Sequence, residues 1–594
     1  MSVTTSDRLP KGRPLTAKLG RDDWLMRSFI LVIALYLVLT LAFPLYAMLS
    51  KAFSTFQFDL TQIELQVSDE QGNFSGEILS AAALNEELDA IPEDDMATSS
   101  DGRLSLVPLF PDFSFRSPVL YKVRGTTPEA VYLIGSERKV GTDWNEVDSN
   151  TFRKVVLRPV KSVGLSNFTT YFSTPSLFQS IGNSVFISVV STIVTVSLAF
   201  AFAYALSRSC MRFKGVSLRA SAWKTFWTVT IPGARYGLIS AAFVVFNLVI
   251  TDFGLPKVIG GQYNMLAVDI YKQVIGQQNF EMGAVVSVVL LMPAFLAFAV
   301  DRQVQKKQVA LLSARSVVYE PKPSRRFDWI CFAFCTLMAI FILGILGVCQ
   351  FAALIKFWPY DLSLSLKNYS FDLMDGGGWD AYRNSIKLGI LTAFFGTIVV
   401  FTGAYMVDKT RGFRTGRSLF QFLAMLPMAI PGMVLGLAYI FFFNNPDNPL
   451  SAIYGTMAIL VIVTITHFYT VSHLTAVTAL KQMDGEFESV AASLKQPFYR
   501  LFARVTVPVC MPAILDIAIY LFVNAMTTVS AVVFLYSTDT ALASVAVLNM
   551  DDAGDIAPAA AMGMMIFYTN AAARILHLIV SKGILKRTQA WRTR

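Results

Sequence analysis

The sequence predicts an all-α polytopic membrane protein built as two tandem helical bundles. Of its 594 residues, 54% are hydrophobic and only 15% are charged, whereas a soluble protein would carry about a quarter charged residues. The apolar residues fall into runs of about 20, the length needed to cross a hydrocarbon core of about 30 Å. An internal repeat is the third observation, because it divides the chain into two related halves.

Ten apolar stretches are candidate membrane spans. They lie at 27–49, 179–206, 234–252, 282–300, 329–354, 384–406, 418–443, 453–475, 512–535 and 559–581. The first is too long for the apolar core of a cleavable signal peptide, and no small-x-small cleavage site follows it. A multi-pass protein embedded in a lipid bilayer is therefore predicted.

The basic residues indicate the orientation of the spans. Lys and Arg concentrate in alternate loops, as the positive-inside rule predicts. The clusters lie in the N-terminal tail, at 207–235, at 301–328, at 409–417 and at the C-terminus. With ten spans, these clusters and both termini would fall in the cytoplasm of a bacterial inner membrane protein. The net charge of +9 then follows from topology, and no nucleic-acid partner is predicted.

Two registers relate the two halves. Asn183-Ser184 and Ala203-Tyr204 match Asn384-Ser385 and Ala404-Tyr405 with an offset of 201 residues. Leu218, Phe226, Val229, Thr230 and Pro232 match Leu494, Phe502, Val505, Thr506 and Pro508 with an offset of 276 residues. The offsets differ by 75 residues, so the first half lacks a stretch equivalent to about 417–491, with two spans. A natural architecture, a genomic deletion and a sequence error would each produce this pattern.

Composition divides the chain into five segments. They are an N-terminal tail with the first span (1–50), an insertion (51–176), a shortened first half (177–305), a cytoplasmic linker (306–328) and the second half (329–594). The insertion is polar, and alternating stretches such as 130–140 are typical of strands. A small extracytoplasmic β-rich domain is predicted there, with a disordered loop as the alternative.

Residues 488–512 carry the most informative pattern. Val490, Ala491 and Leu494 are small or apolar residues that can dock a short helix into a groove on a partner. Lys495-Gln496-Pro497 breaks that helix, and Pro508 lies at the entry into the next span, where Pro is tolerated. A rigid element of this kind can transmit a partner's motion to the membrane. A shortened copy occurs at 216–232.

This segment resembles the cytoplasmic coupling loop of ABC-importer permeases, whose motif reads E-A-A, three residues, G, nine residues, then I-x-L-P. Glu488, Ala491 and Ala492 stand at the E-A-A positions, Lys495 stands at the Gly position, and the stretch ending at Pro508 matches the closing element. The resemblance implies that these residues contact an ATPase: Glu488, Ala491, Ala492, Leu494, Lys495, Val505 and Pro508 in the second half, and Leu218, Arg219 and Pro232 in the first.

Five further stretches resemble the fused permeases of ferric iron and 2-aminoethylphosphonate importers, the latter more closely. They lie at 250–262, 275–284, 375–385, 524–537 and 548–555. The resemblance implies two tandem type I ABC importer permease bundles, a periplasmic binding protein and a separate ATP-binding subunit dimer. It implies 2-aminoethylphosphonate or a related phosphonate as substrate. The alternatives are ferric iron and a transport-defective, truncated member.

Polar residues in or beside the spans are candidates for the translocation path, since such residues are costly within a membrane. Asn247, Asp252, Asn524, Thr527 and Thr528 offer groups that would suit a small anionic substrate, with hydrogen bonding between helices as the alternative.

Other chemistry is not predicted. The three histidines, His467, His473 and His577, do not form a metal set. No G-x-x-x-x-G-K-[ST] motif occurs, so neither a catalytic residue nor a cofactor is predicted, and the energy must come from another subunit. A secondary transporter, the alternative class, should show charged residues clustered at mid-membrane, which this sequence lacks.

Overall fold

The computed structural model describes most of the chain, in two units. The described residues are 20–68, 74–80, 97–98, 104–106, 119–123, 131–134, 153–208, 231–307, 325–357, 360–371, 377–410, 413–484 and 486–588. One unit is Phe53–Asn167, and the other combines Met1–Ala52 with Phe168–Arg594. Most of the described part of the second unit is helical, so the predicted all-α class is confirmed.

The unit Phe53–Asn167 contains strands. They are β1 (Ser54–Ser68), β2 (Phe74–Ser80), β3 (Ala97–Thr98), β4 (Leu104–Leu106), β5 (Val119–Val123), β6 (Val131–Ile134) and β7 (Arg153–Val163). An antiparallel sheet has the order β2-β1-β7, in which Ile63 pairs with Leu79 and Leu157. A second sheet has the order β3-β4-β5-β6. The predicted insertion, 51–176, is wider than this unit, because the residues from 166 onward are helical.

In the described residues outside this unit we number twenty α-helices in chain order. They are α1 (Arg21–Leu37), α2 (Phe43–Ala52), α3 (Ser166–Ser173), α4 (Pro175–Arg208), α5 (Ile231–Ile250), α6 (Gly254–Ile259), α7 (Leu266–Tyr271), α8 (Phe280–Lys307), α9 (Arg325–Leu354), α10 (Gly378–Lys409), α11 (Arg414–Met425), α12 (Gly432–Phe443), α13 (Met457–His467), α14 (Tyr469–Lys481), α15 (Glu486–Ser493), α16 (Phe498–Leu501), α17 (Val507–Val509), α18 (Met511–Thr527), α19 (Ala543–Ala553) and α20 (Ile556–Thr588). A π-helical turn joins α1 to α2, and another joins α16 to α17. A short pair of strands, β8 (Ile355–Phe357) and β9 (Asp361–Leu364), follows α9.

Each of the ten predicted spans has a helical counterpart among the described residues, and three of these counterparts are bent pairs of helices. In the described part of the chain, six helices are long and apolar enough to cross a membrane, and three bent helix pairs could each form one more. The helix predicted at 234–252 corresponds to α5, Ile231–Ile250, in which Gly237–Ile250 is an uninterrupted, fully described apolar stretch. By length and composition, the described residues therefore hold six to nine candidate spans, compared with the ten predicted.

The span predicted at 418–443 is broken in the middle. The chain bends by 113° between α11 and α12, and a short 3-10 turn, Leu426–Ala429, lies between them. Pro427 and Pro431 lie at the break. They explain it, because proline cannot donate the hydrogen bond that would continue the helix. The pair α13 and α14 is bent by 56°.

The span predicted at 512–535 ends early. α18 stops at Thr527, and the apolar residues that follow form turns. Val532, Val533, Phe534 and Leu535 are buried inside the protein. This run is therefore apolar because it packs against other helices, and not because it continues through lipid.

Helices near the start of the chain and at the start of the second half pack across the boundary between the halves. α1 packs on α10 and α11, and α2 packs on α12, all in the second half. α9, which precedes the second bundle, packs on α4 of the first half. The two halves are thereby interlocked.

The repeat has a structural counterpart at one pair of residues in each half. Asn183 Nδ2 donates to the Asn264 carbonyl at 3.0 Å, and Ser184 Oγ accepts from the Leu266 amide at 2.8 Å. Ser184 thus caps the first residue of α7, whose amide has no partner within its own helix.

In the second half the equivalent pair does the same for α19. Asn384 Nδ2 donates to the Ala541 carbonyl at 3.1 Å, and Ser385 Oγ accepts from the Ala543 amide at 2.8 Å. The Asn-Ser match in the sequence therefore records a repeated helix cap.

The helices that carry these pairs differ in burial. In α10, 56% of the apolar, membrane-spanning stretch is buried inside the protein, compared with 11% in α4. α10 is covered by α13, α14, α18 and α1, whereas α4 is packed by α5, α7 and α9. α13 and α14 lie in the stretch, about 417–491, whose counterpart the sequence repeat predicts to be missing from the first half.

Candidate functional site

The candidate coupling loop consists of α15, a reversal of the chain, and α16. The reversal is closed by two backbone bonds: the Leu494 amide donates to the Val490 carbonyl and the Gln496 amide to the Ala491 carbonyl, each at 2.9 Å. Between them Lys495 has a φ of 52°, in the left-handed region. This pattern is a helix C-cap that favours glycine, which explains why the family motif has Gly where this chain has Lys495.

We expect that Lys495→Gly leaves the fold intact and raises its stability by up to about 1 kcal/mol, because only glycine adopts this conformation without a steric cost. Lys495→Val should lower stability, since a β-branched residue at positive φ is strained further. Thermal unfolding of the detergent-purified chain checks this order. Equal melting temperatures for the two variants would contradict the left-handed cap.

One side of α15 and its end is apolar and exposed. Phe487, Val490 and Leu494 follow one another at helical spacing, and their exposed fractions are 39%, 56% and 65%. This surface, which we call the coupling face, lies in a loop between two spans rather than on a spanning helix. Exposed apolar residues in such a loop indicate a protein partner.

The other side of α15 is tied to the bundle. Glu488 Oε1 lies 2.5 Å from Lys409 Nζ, at the end of α10, and Lys409 also pairs with Asp408 at 3.2 Å. Glu488 is half-buried, like Ala491. The ion pair holds α15 so that its coupling face points away from the bundle.

The remaining residues predicted to contact an ATPase fall in three groups. Val505 and Pro508 are half-buried in the turns that lead from α16 to α18, beside Phe502, whose ring centroid is 4.7 Å from that of Tyr405. Ala492 lies in α15 and Pro232 is the second residue of α5, but their side chains are outside the described residues. Leu218 and Arg219 lie in 209–230, also outside them.

The polar residues predicted for the translocation path make different contacts. Asn247 Nδ2 donates to the Met428 carbonyl at 3.1 Å, which joins α5 to the break between α11 and α12. Asn524 and Thr527 donate to carbonyls of their own helix, at Tyr520 and Val523. The structure thus puts Asn247 at the boundary between the halves.

Two further path candidates lie where helices end. The carbonyl of Thr528, just after α18, accepts from Ser544 Oγ at 2.6 Å, and the Thr528 side chain is buried. Asp252 lies just after α5 and is half-buried.

An ion pair between the halves was not foreseen from the sequence. Lys257 Nζ in α6 lies 2.7 Å from Asp552 Oδ1 in α19, and 5.4 Å from the ring centroid of Tyr271. The ring of Tyr271 is stacked on that of Phe534, with 6.3 Å between centroids. The sequence could not have paired residues 295 positions apart.

The histidines do not form a metal site. Among the described residues, no group of three or more potential ligands lies close enough to hold a metal ion. His577 Nε2 lies 3.2 Å from Asp516 Oδ1, between α20 and α18.

One carboxyl group outside the spans makes stability depend on pH. Asp269 in α7 is 3% exposed, and Oδ2 has no hydrogen-bond partner. Burial raises its pKa to about 6, against the opposing effects of Ser180 and Lys272. Because the folded protein binds this proton more tightly, the stabilisation is complete below pH 3.8 and is lost as the pH rises through about 6.

Asp269→Asn should therefore stabilise the chain at pH 7.5, by up to about 3 kcal/mol, and have little effect near pH 4. Melting temperatures at the two pH values measure the difference. Asp539→Asn, at an exposed aspartate, is the matched control. A gain from Asp269→Asn that is equal at both pH values would contradict a titrating, buried carboxyl.

The second half matches a known family. Residues 399–586, from within α10 to the end of α20, match the binding-protein-dependent transport system inner membrane component family. The matched region contains the whole candidate coupling loop of the second half.

Three curated relatives support the match. The ferric transport system permease protein FbpB of Actinobacillus pleuropneumoniae is 30% identical over 367 residues, which cover 59% of this chain and 51% of the relative. The 2-aminoethylphosphonate transport system permease protein PhnV of Salmonella paratyphi A is 28% identical over 203 residues, 34% of this chain and 73% of the relative. The ferric transport system permease-like protein AfuB of Escherichia coli K12 is 38% identical over 85 residues, 14% of this chain and 71% of the relative.

The chain belongs to this family of ABC importer inner membrane permeases. The family, the helical fold and the multi-pass membrane character predicted from the sequence are thereby confirmed. The chain spans about half the length of the FbpB relative that it matches, 51%.

Proposed function

We propose that this chain is the membrane-spanning permease subunit of an ATP-driven importer. The observation that carries this function is the coupling face, which is apolar, exposed and held outward by the pair between Glu488 and Lys409. We propose that it lies in the cytoplasm, as do both termini, and that an ATP-binding subunit docks on it. The basic residues near this end of the bundle support that orientation.

Two kinds of partner follow from this proposal. A dimer of ATP-binding subunits supplies the energy, since the sequence has no phosphate-cradling motif of its own. A periplasmic binding protein delivers the substrate to the opposite side. Displacement of α15 and α16 by the ATPase then reaches α18 through the turns at 502–509, which carry Val505 and Pro508.

We propose ferric iron as the substrate, with 2-aminoethylphosphonate as the second candidate. The match to FbpB covers 59% of the chain, whereas the match to PhnV covers 34%, so the longer relation favours iron. This reverses the order that the sequence stretches alone suggested.

Uptake into proteoliposomes tests both substrates. The chain is reconstituted with its ATP-binding subunit and binding protein, and radiolabelled ferric iron and radiolabelled 2-aminoethylphosphonate are offered in parallel with ATP inside or outside. We expect ATP-dependent uptake of iron and not of the phosphonate. The reverse result would assign the second substrate, and ATP-independent uptake would contradict the importer class.

A transport-defective member is the alternative function. The low burial of α4 compared with α10, 11% against 56%, favours it, because fewer helices of the described residues pack on α4 than on α10. Such a chain would bind the ATP-binding subunit through the second-half loop and take up neither substrate. Binding and uptake, measured on the same preparation, distinguish this alternative from the active importer.

A further inference from the structure

The N-terminal end of α1 contacts the second helix of the coupling loop. The backbone amide of Phe498 donates to Asp22 Oδ2 at 3.0 Å, across 476 residues of sequence. Phe498 is the first residue of α16, and amides in the first turn of a helix have no partner within it. Pro497, at the N-cap position, makes no side-chain cap. Asp22 therefore supplies the cap from another helix.

The carboxylate of the neighbouring residue, Asp23, makes a different contact. The Gly20 amide donates to Asp23 Oδ2 at 2.9 Å, so Asp23 caps the N-terminus of α1 itself. Asp22 is half-buried and points to α16. Two consecutive aspartates thus serve two helices, and they form a matched pair for experiment.

A second contact supports the attachment of α1 at this end of the bundle. Arg27 lies over the ring of Phe413, with its guanidinium carbon 5.5 Å from the ring centroid. The chain continues from α1 into α2, and α2 packs on α12, the helix that follows the break in the span. Asp22 therefore links the coupling loop directly to a helix that packs on the broken span.

We propose that Asp22 is a positioning residue of the coupling loop, which holds the start of α16 in the orientation that the ATP-binding subunit engages and passes displacement of α16 to α1. The inference rests on the proposed docking of that subunit. A hydrogen bond from an amide to a carboxylate is stronger than one between neutral groups. Holding the loop in place before binding removes an ordering cost from association.

Hydrogen exchange of the full-length chain in detergent tests the contact. In Asp22→Ala, amides of 495–501 should exchange about tenfold faster than in the unchanged chain. Asp23→Ala should leave them unchanged, and Asp22→Asn, which retains a neutral acceptor, should give an intermediate rate. The melting temperature of each variant, and exchange in α10, report whether the bundle itself remains folded.

Affinity for the ATP-binding subunit, measured on the same samples, tests the consequence. We expect about fivefold weaker binding for Asp22→Ala, partial recovery with Asp22→Asn and no change with Asp23→Ala. Equal exchange at 495–501 in the two alanine variants, or faster exchange without weaker binding, would overturn the inference. If the unchanged chain does not bind the ATP-binding subunit, the proposed function fails instead, and the exchange rates still report on the contact.

Discussion

Changing Val490 and Leu494 together to aspartate should release the ATP-binding subunit from the chain. Both side chains are more than half exposed on the coupling face, so the charges cost little in the free permease. In the complex they would have to be buried without a partner. We expect affinity to fall by about a hundredfold, the effect of losing two apolar contacts at the centre of an interface. Co-purification and titration with the ATP-binding subunit measure the loss.

Ser489→Asp is the matched control for this experiment. Ser489 is exposed on the same helix but lies about 130° around it from the midpoint of the coupling face. Its substitution should leave affinity within about twofold of the original. If the double variant binds as well as the control, the coupling face is not the docking surface.

Gly436→Val should disrupt the second bundle. A Cβ placed at Gly436 in α12 would lie 2.9 Å from the carbonyl oxygen of Ala531, in the turns after α18. Because the obstacle is backbone, it cannot rotate away, and we expect a loss of about 3 kcal/mol or more. The melting temperature and the yield of monodisperse protein in detergent check this expectation.

Gly344→Val provides the comparison. Gly344 lies in α9, and a Cβ there would meet no other atom within 4 Å. This variant should behave like the unchanged protein, apart from the small preference of helices against β-branched residues. Similar melting temperatures for Gly436→Val and Gly344→Val would show that α12 does not pack closely on the turns at Ala531.

The sequence predicted the helical class and the family because both depend on local patterns. Apolar runs predicted ten segments, and Pro427 and Pro431 lie at the break in one of them. The angle of that break could not be predicted, because it depends on what α12 packs against. The apolar run at 531–535 was misassigned to a span for a related reason: burial in protein and burial in lipid select the same residues.

In the candidate site, too, features that follow short sequence patterns could be predicted, and contacts between distant residues could not. The turn at Lys495, the coupling face and the repeated Asn-Ser pairs follow short patterns, so the sequence located them. The partners of these groups could not be located. Asp22 meets Phe498, Lys409 meets Glu488 and Lys257 meets Asp552 only after the helices have packed.

The central claim is that the coupling face lies in the cytoplasm and is covered by an ATP-binding subunit. Gln496 is exposed in the loop beside it, and a cysteine placed there can be labelled with a membrane-impermeant maleimide, in a chain whose five native cysteines have been replaced. We predict labelling in inside-out vesicles, protection when the ATP-binding subunit is added, and no labelling in right-side-out vesicles. Labelling from the outer side, or no protection by the subunit, would contradict the claim.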